Sequence, residues 1–514
     1  MKPIRLIAAF LTVGIWTMAS RIMGFVRDVM IAALLGSGPV AEAFLVAFAL
    51  PNMFRRIFAE GAFNMAFVPM FAKKLERGDD AAGFARDAFA GLAGILIVLT
   101  LVALVAMPWL VLAMAGGFAD DVRFDLTVLY GRIAFPYILF ISLAALLSGL
   151  LNAIGRFAAA AAAPVLLNVL FVAAMAIGDA LGLDIGLLLA WTATAAGIAQ
   201  LVLVWIAAAR AGFRLVPSRP RWTPELRRLA VIAAPAALAG GVVQINLLVG
   251  RRVASFFDGA VVWLAMADRL YQLPLGVVGV AIGVVLLPDL SRRLGAGDTD
   301  GGRDAFNRAS ELSLALTIPA AVALVVMPLP LISVLFERGA FEASDSIAAA
   351  QALAIYGLGL PAFVLQKVLQ PLYFAREDTR SPFRYALVAM VINAVVAFGL
   401  SPWIGFTAAA WATTIAAWAM VALLWRGTAA MGAAAQLDKR LKNRLWRIVL
   451  AALGMGAALV WAGQLLGPLL FASATRYLAL AALVFLGIAV YFVLAHILGG
   501  LPAGDLKRAL RRQR

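Results

Sequence analysis

Two arginines and a glutamate interrupt a long apolar run near the start of the chain. The run covers residues 40–71, and its middle segment, residues 51–64, contains Arg55, Arg56 and Glu60. An arginine inside a bilayer costs at least ~2.5–3.5 kcal/mol on insertion scales, so it usually faces protein or a water-filled cavity. Arg56 and Glu60 are four residues apart and can pair on one helix face, whereas Arg55 points about 100° away. The segment therefore predicts an internal ion pair or a site for a charged ligand.

Further charges lie in other apolar runs. Residues spaced by four, three and four positions share one stripe of a helix, and the first run contains such a series: Thr17, Arg21, Gly24 and Asp28. The cations expected at membrane depth are Arg21, Arg27, Arg55, Arg56, Arg251, Arg252, Arg269 and Lys367. The anions expected there are Asp28, Glu42, Glu60 and Asp268.

Because eight cations cannot be neutralised by four anions, the surplus predicts an anionic ligand. The planar guanidinium fork binds phosphate or pyrophosphate oxygens bidentately, whereas a cavity for cationic drugs would need the opposite balance. Alternatively, an arginine near a span end extends its charge to the interface, and Arg251 and Arg252 are the first candidates for this. We expect Glu42, Arg252 and Lys367 to support the site.

The composition predicts a polytopic membrane protein. Hydrophobic residues make up 64% and charged residues only 14% of the chain, and the mean hydropathy is +0.97. Apolar runs of about 20 residues recur from Leu6 almost to the end, each long enough to cross a bilayer. The first run contains Arg21 and Asp28, so it is interpreted as a retained span, not a signal peptide.

The runs predict fourteen spans, which begin near residues 6, 40, 86, 125, 157, 185, 228, 260, 305, 346, 382, 404, 446 and 475. The net charge of +16 is concentrated in alternate loops, as in residues 73–86, 210–228, 292–308 and 439–447. Some of the intervening loops are acidic, for example at Asp120 and Asp121. By the positive-inside rule both termini are cytoplasmic. The basic charge is therefore explained by topology, and we expect no nucleic-acid partner.

The second half of the chain repeats the first at an offset of about 220 residues. Three pairs of short segments match in order: residues 73–75 with 292–294, 78–79 with 297–298, and 191–194 with 411–414. Pro136 and Asn168 likewise match Pro361 and Asn393. The predicted fold is all-α, with two six-helix lobes as parallel repeats and a C-terminal two-helix hairpin. Transporters of this kind bind substrate between the halves near mid-membrane.

The predicted domains are 1–228, 229–432 and 433–514. The last contains a basic amphipathic segment, residues 433–447, two spans without charge at membrane depth, and a basic tail. These spans either add packing or form an apolar wall for a lipid tail.

The residue types argue against several other chemistries. The chain has no cysteine and a single histidine, His496, near the end of the last span. Thiolate metal sites are therefore excluded, and no metal or cofactor is expected. The sequence also lacks a Gly-Lys-Ser/Thr phosphate loop, so ATP is not the expected energy source.

Several motifs resemble the MurJ/MviN family of lipid II flippases, and the resemblance covers essentially the whole chain. The motifs are residues 20–28, 43–52 with Asn52, 54–63, and 267–270 with Asp268 and Arg269. The resemblance implies the multidrug/oligosaccharidyl-lipid/polysaccharide exporter fold, with two lobes in a V and helices 13 and 14 forming a lipid-tail groove. It also places Arg21, Arg27, Asp28, Arg55, Arg56, Glu60 and Arg269 at the functional charges of the family.

The implied activity is transfer of the undecaprenyl-pyrophosphate-linked peptidoglycan precursor from the inner to the outer leaflet of a bacterial cytoplasmic membrane. The expected partners are this precursor, membrane lipids and other cell-wall synthesis proteins, with the chain acting as a monomer. Two residues depart from the family pattern: Ala49 stands where members can carry lysine, and Glu42 stands where aspartate is common.

Two other interpretations stay open. Another exporter of the superfamily, for polysaccharide repeats or drugs, would share the fold. A membrane enzyme acting on a lipid-linked saccharide would need an acid–base pair on a sizeable external loop, and the external loops here are short. We therefore expect a transporter and no enzyme, driven by membrane potential, protons or another ion.

The topology can be checked with single cysteines, because the chain has none of its own. A cysteine near Asp121 or Glu342 should react with an impermeant label from outside, and one near Lys74, Arg219 or Arg440 should not. Labelling from outside at residue 219 would overturn the span count and the two-lobe arrangement.

Overall fold

The structure is a computed structural model that describes residues 6–56, 64–215, 221–472 and 474–501. Several sequence predictions lie outside the described residues. They concern Glu60 and the rest of residues 57–63, the basic residue Arg219, and the tail that contains Lys507 and Arg514.

The chain divides into two compact units, and the first comprises Met1–Val262 with Arg338–Phe341. Its helices are α1 (Leu6–Leu35), α2 (Pro39–Arg55), α3 (Asn64–Arg77), α4 (Ala81–Val105), α5 (Met107–Met114), α6 (Val122–Ala134), α7 (Tyr137–Ala153), α8 (Ala158–Ala180), α9 (Ile185–Arg210) and α10 (Pro224–Ala254). A buried core between α1, α2, α6, α8 and α9 contains Phe44, Tyr130 and Phe171.

The second unit comprises Trp263–Glu337 and Glu342–Arg514. Its helices are α11 (Ala260–Gly295, beginning at the end of the first unit), α12 (Thr299–Val326), α13 (Pro328–Phe336), α14 (Ala343–Phe374), α15 (Arg380–Ile404), α16 (Thr407–Gly427), α17 (Lys439–Leu465), α18 (Gly467–Leu470) and α19 (Arg476–Ile497). One core lies between α11, α12, α14, α15 and α16. Another lies between α12, α13, α17 and α19.

The predicted all-α membrane fold is confirmed, because the described residues form helices with one isolated β-bridge, between Arg338 and Phe341. Within this part of the chain, ten helical segments are long and apolar enough to span a membrane. The predicted number of fourteen spans stays a prediction. The helices outside the ten include α1, α2 and α11, which carry candidate charges such as Arg21, Arg55 and Arg269.

The repeat seen in the sequence is visible as repeated local structure. Gly78 directly follows α3, and Gly297 lies two residues after the end of α11. Their φ values are +74° and +75°, which favour glycine. Asp80 and Asp298 then cap α4 and α12 by accepting the backbone N–H three residues on. A second repeated contact is found on α9 and α16. The Thr194 and Thr414 hydroxyls each donate to a backbone carbonyl of another helix.

A buried carboxylate attaches α17 to α12. Glu311 of α12 is nearly buried and accepts from Arg308 at 2.5 Å, from Arg440 at 3.2 Å, and from Arg444. One helical turn earlier, the fully buried Asn307 donates to the Gln436 carbonyl and accepts the Asp438 N–H, each at 2.9 Å. The segment before α17 is therefore held in place by α12 side chains.

Replacing Glu311 with Gln should lower the free energy of unfolding by about 2 kcal/mol or more, because three guanidinium groups lose their shared counter-charge. Asp304→Asn is the matched control, since Asp304 contacts Arg308 at 3.2 Å but its side chain is 69% exposed. Thermal unfolding of the purified variants measures the difference. Equal melting temperatures for the two would show that Glu311 does not anchor α17.

Candidate substrate-binding charges

The guanidinium of Arg27 on α1 is held by three neighbours. Its Nε and Nη2 donate to Asp28 Oδ1 at 3.0 and 2.8 Å, and its Nη1 donates to Asn168 Oδ1 of α8 at 3.0 Å. The same guanidinium lies 5.8 Å from the centroid of the Phe171 ring, within cation–π range. The structure therefore pairs Arg27 with Asp28, which are both predicted site residues, and adds Asn168 to them.

Asn168 also fixes the packing of α8 on α1. Its Nδ2 donates to the carbonyls of Ser20 and Pro164 at 3.1 and 3.2 Å. Gly24 lies against this side chain, since a β-carbon at that position would be in van der Waals contact with Asn168 Nδ2 at 3.4 Å. The stripe predicted from Thr17 to Asp28 thus passes from exposed residues to buried ones along a single helix.

Arg21 differs from Arg27 in its surroundings. Its side chain is exposed, as are the apolar side chains of Ile15, Met18 and Ile22 around it on α1. Among the residues that the structure describes, no ion pair to Arg21 is present. A guanidinium in such an apolar helix needs a polar partner, such as a backbone carbonyl, water or an anion.

The charged end of α2 is described as far as Arg56. Pro51 lies inside the helix, and the Asn52 side chain donates back to the Phe48 carbonyl at 2.8 Å. Arg55 is half-buried and Arg56 is exposed. The predicted pairing of Arg56 with Glu60 is untested, because Glu60 lies outside the described residues.

Glu42, at the start of α2, lies in a network that the sequence did not predict. Its carboxylate accepts from Arg123 of α6 at 2.9 Å and from the Val261 N–H at 3.1 Å. Arg123 also contacts Asp121 at 2.5 Å and Asp258 at 2.8 Å, and we call these four acidic and basic side chains the Arg123 network. The sequence did not predict a role for Arg123, because this residue follows Asp120 and Asp121 in a loop that was interpreted as acidic.

The network changes the titration of its loop carboxylate. Partial burial raises the pKa of Asp121, but hydrogen bonds from the backbone and side chain of Arg123 outweigh it and leave the pKa below its ordinary value. The stabilisation from this pair is present at neutral pH and is lost only as the pH falls through the lowered pKa.

The remaining predicted cations have diverse surroundings. Arg252 donates to the carbonyls of Leu112 and Ala113, at the end of α5, at 2.9 and 3.0 Å, which suits a cation at a helix C-terminus. In the second unit Arg269 is half-buried, and its neighbour Asp268 accepts from Gln272. Lys367 of α14 is exposed. The predicted roles of these residues, and of the half-buried Arg251, are untested. In the described part of the chain no group of three His, Cys, Asp or Glu residues is placed to hold a metal ion.

The family pattern described as "Lipid II flippase MurJ" matches residues 31–484. A "Probable lipid II flippase MurJ" of Rhizobium meliloti is 45% identical over 99% of this chain and 96% of its own length. The "Lipid II flippase MurJ" of Burkholderia cenocepacia is 37% identical over 78% of this chain and 79% of its own.

Solved structures share the fold. "Lipid II flippase MurJ, inward closed conformation" superposes with a TM-score of 0.79 at 24% identity, covering 95% of this chain and 98% of that one. An inward-facing multidrug resistance MATE family transporter of the MOP superfamily gives 0.69 at 14% identity, covering 83% and 98%.

The helical units, their repeated local structure and the charges on their membrane helices thus define a polytopic membrane protein with the fold of MOP-superfamily transporters. The chain belongs to the lipid II flippase MurJ family. The resemblance recognised in the sequence is therefore confirmed.

Substitution of Asn168 tests its role in fixing Arg27. Asn168→Leu should lower the free energy of unfolding by about 1–3 kcal/mol, because Arg27 and the Ser20 carbonyl lose a buried partner. Asn152→Leu is the control, since Asn152 is exposed on α7. Chemical or thermal unfolding of both variants gives the comparison, and an Asn168 variant as stable as the control would contradict the assignment.

Proposed function

We propose that this protein moves lipid II, the undecaprenyl-pyrophosphate-linked peptidoglycan precursor, from the inner to the outer leaflet of a bacterial cytoplasmic membrane. It acts by alternating access as a transporter, without catalytic chemistry or a cofactor. Both termini lie in the cytoplasm, and the chain works as a monomer. Membership of the MurJ family supports the substrate.

The exposed guanidinium of Arg21 is the observation that carries the proposal. It lies midway along a 30-residue apolar helix, where an arginine needs a polar partner such as a backbone carbonyl, water or an anion. Arg27, one and a half turns further on, is already held by Asp28 and Asn168. In this scheme Arg27 offers an oriented, partly neutralised guanidinium, and Arg21 contributes the uncompensated charge.

The pyrophosphate is the part of the substrate that these charges recognise. It binds Arg21, Arg27, Arg55, Arg56 and Arg269, with Asp28, Asn52, Glu60 and Asp268 orienting the guanidinium groups and the sugar hydroxyls. Arginine suits this role because its fork contacts two phosphate oxygens at once. Glu42, Arg252 and Lys367 support the site without contacting the substrate.

The isoprenoid tail occupies an apolar pocket of about 260 Å³ between α12, α17 and α19. Leu316, Leu459, Val484 and Phe492 are among its lining residues, so it offers hydrocarbon contact and no charge. This assigns a binding role to the appended hairpin in addition to packing.

The Arg123 network holds the external end of α2. Arg123 and Glu42 are nearly buried. They join the first turns of α2 and α6 to the α10–α11 loop through Asp258, and to the first turn of α11 through the Val261 N–H. The network therefore fixes the starts of α2 and α6 relative to each other within the first unit.

The direct test is the leaflet distribution of lipid II in cells depleted of the protein, measured with an impermeant reagent that modifies the headgroup. Depletion should leave lipid II protected in the inner leaflet, and re-expression should expose it. Unchanged exposure after depletion would refute the proposed function.

The charges are tested by complementation of the same cells alongside membrane abundance. Arg21→Ala, Arg55→Ala and Arg269→Ala should lose transport at near-normal abundance, and the Lys variants should also be poor because lysine lacks the bidentate fork. Arg210→Ala, an exposed arginine at the end of α9, is the control. If all three Ala variants support growth, these arginines do not bind the substrate and have only a structural role.

A further inference from the structure

Helix α12 contains a proline whose missing hydrogen bond is replaced from another helix. Pro319 lies inside α12 and has no backbone N–H, so the Ala315 carbonyl lacks its usual α-helical donor. The Tyr491 hydroxyl of α19 donates to this carbonyl at 2.5 Å. Ala315 and Tyr491 are 1% and 3% exposed, so water does not compete for the bond. Tyr491 therefore completes the backbone hydrogen bonding of α12.

The same three residues line the apolar pocket. Ala315, Pro319 and Tyr491 all contribute to its wall, between α12 and α19. Gly487, one turn before Tyr491, brings α19 close to α17, because a β-carbon there would lie 3.2 Å from Leu459. The hydrogen bond thus sets the distance between two walls of the pocket.

Another proline shows a local solution to the same problem. Pro402 in α15 leaves the Phe398 carbonyl without its α-helical donor, and the Ser401 hydroxyl of the same helix donates to it at 3.1 Å. Such a bond does not depend on a second helix. In α12 the donor comes from α19, so the helical turn at Pro319 and the position of α19 are linked.

We propose that Tyr491 is a positioning residue whose hydroxyl stands in for the N–H that Pro319 lacks and thereby fixes the shape of the tail pocket. This inference rests on the proposed function in taking the isoprenoid tail as the occupant. A tail in the pocket contacts Pro319 and Tyr491 together. Loss of the hydroxyl weakens the link between the Pro319 turn of α12 and α19, so the pocket loses its fit for a long isoprenoid chain.

The test combines two substitutions. Tyr491→Phe should lower the melting temperature, because the Ala315 carbonyl is left without a donor in an apolar interior. Pro319→Ala restores the N–H, so Tyr491→Phe should have little further effect on the melting temperature in that background. Tyr373→Phe is the control: its hydroxyl also donates to a carbonyl at 2.5 Å, that of Leu424, but this carbonyl additionally accepts the Thr428 N–H.

Transport supplies the second readout, in vesicles containing the full-length protein and either lipid II or an analogue with a short isoprenoid chain. Tyr491→Phe should slow transport of lipid II by about tenfold and that of the short-chain analogue much less. Tyr373→Phe should change neither by more than the control error.

The outcomes separate the two proposals. If Tyr491→Phe lowers the melting temperature equally in the wild-type protein and in the Pro319→Ala variant, the Tyr491 hydroxyl does not replace the missing N–H. Equal slowing of the long-chain and short-chain substrates would show that it does not act through the tail. If the wild-type protein transports neither lipid, the proposed function fails, while the melting temperatures still decide the hydrogen bond.

Discussion

The structure depends on one constraint. The hydrocarbon core of a membrane holds no water, so every charge and every backbone polar group there needs a partner from the protein or a ligand. Arg27 meets it with Asp28, Asn168 and the Phe171 ring. The Ala315 carbonyl, deprived of a donor by Pro319, meets it with a tyrosine from another helix. These contacts both stabilise the fold and select which groups remain available to a ligand.

The arginines therefore differ in how many polar partners the protein provides for each of them. Arg123 is surrounded by three carboxylates, and Arg252 by the terminal carbonyls of α5. These two hold elements together and have little capacity for a substrate. Arg21 is exposed in an apolar stretch of α1 and has no ion pair among the described residues, so its charge remains available to a ligand. The simple excess of cations in the sequence does not make this distinction.

Helical spacing predicted the fold class and the set of side chains that share one stripe of α1, because both follow from local periodicity. Predicted span starts near residues 185 and 260 coincide with helix starts at Ile185 and Ala260. Contacts between distant segments could not be predicted from local patterns. Asn168 was noted only as a repeat match to Asn393, and its bond to Arg27 joins residues 141 positions apart. Arg123 was missed for the same reason, since its partner Glu42 lies 81 positions earlier.

The appended hairpin shows how the same constraint reaches mechanism. Its helices contact the rest of the second unit at three points: Glu311 with Arg440 and Arg444, Tyr491 on the Ala315 carbonyl, and Arg476, which donates to the Glu337 carbonyl at 3.0 Å. Three contacts constrain the hairpin more than one would, and two of them are to α12. The pocket wall on α19 is thereby coupled to α12. A lipid tail held there would move with the second unit, so the tail and the unit's own charges, such as Arg269, would be displaced together.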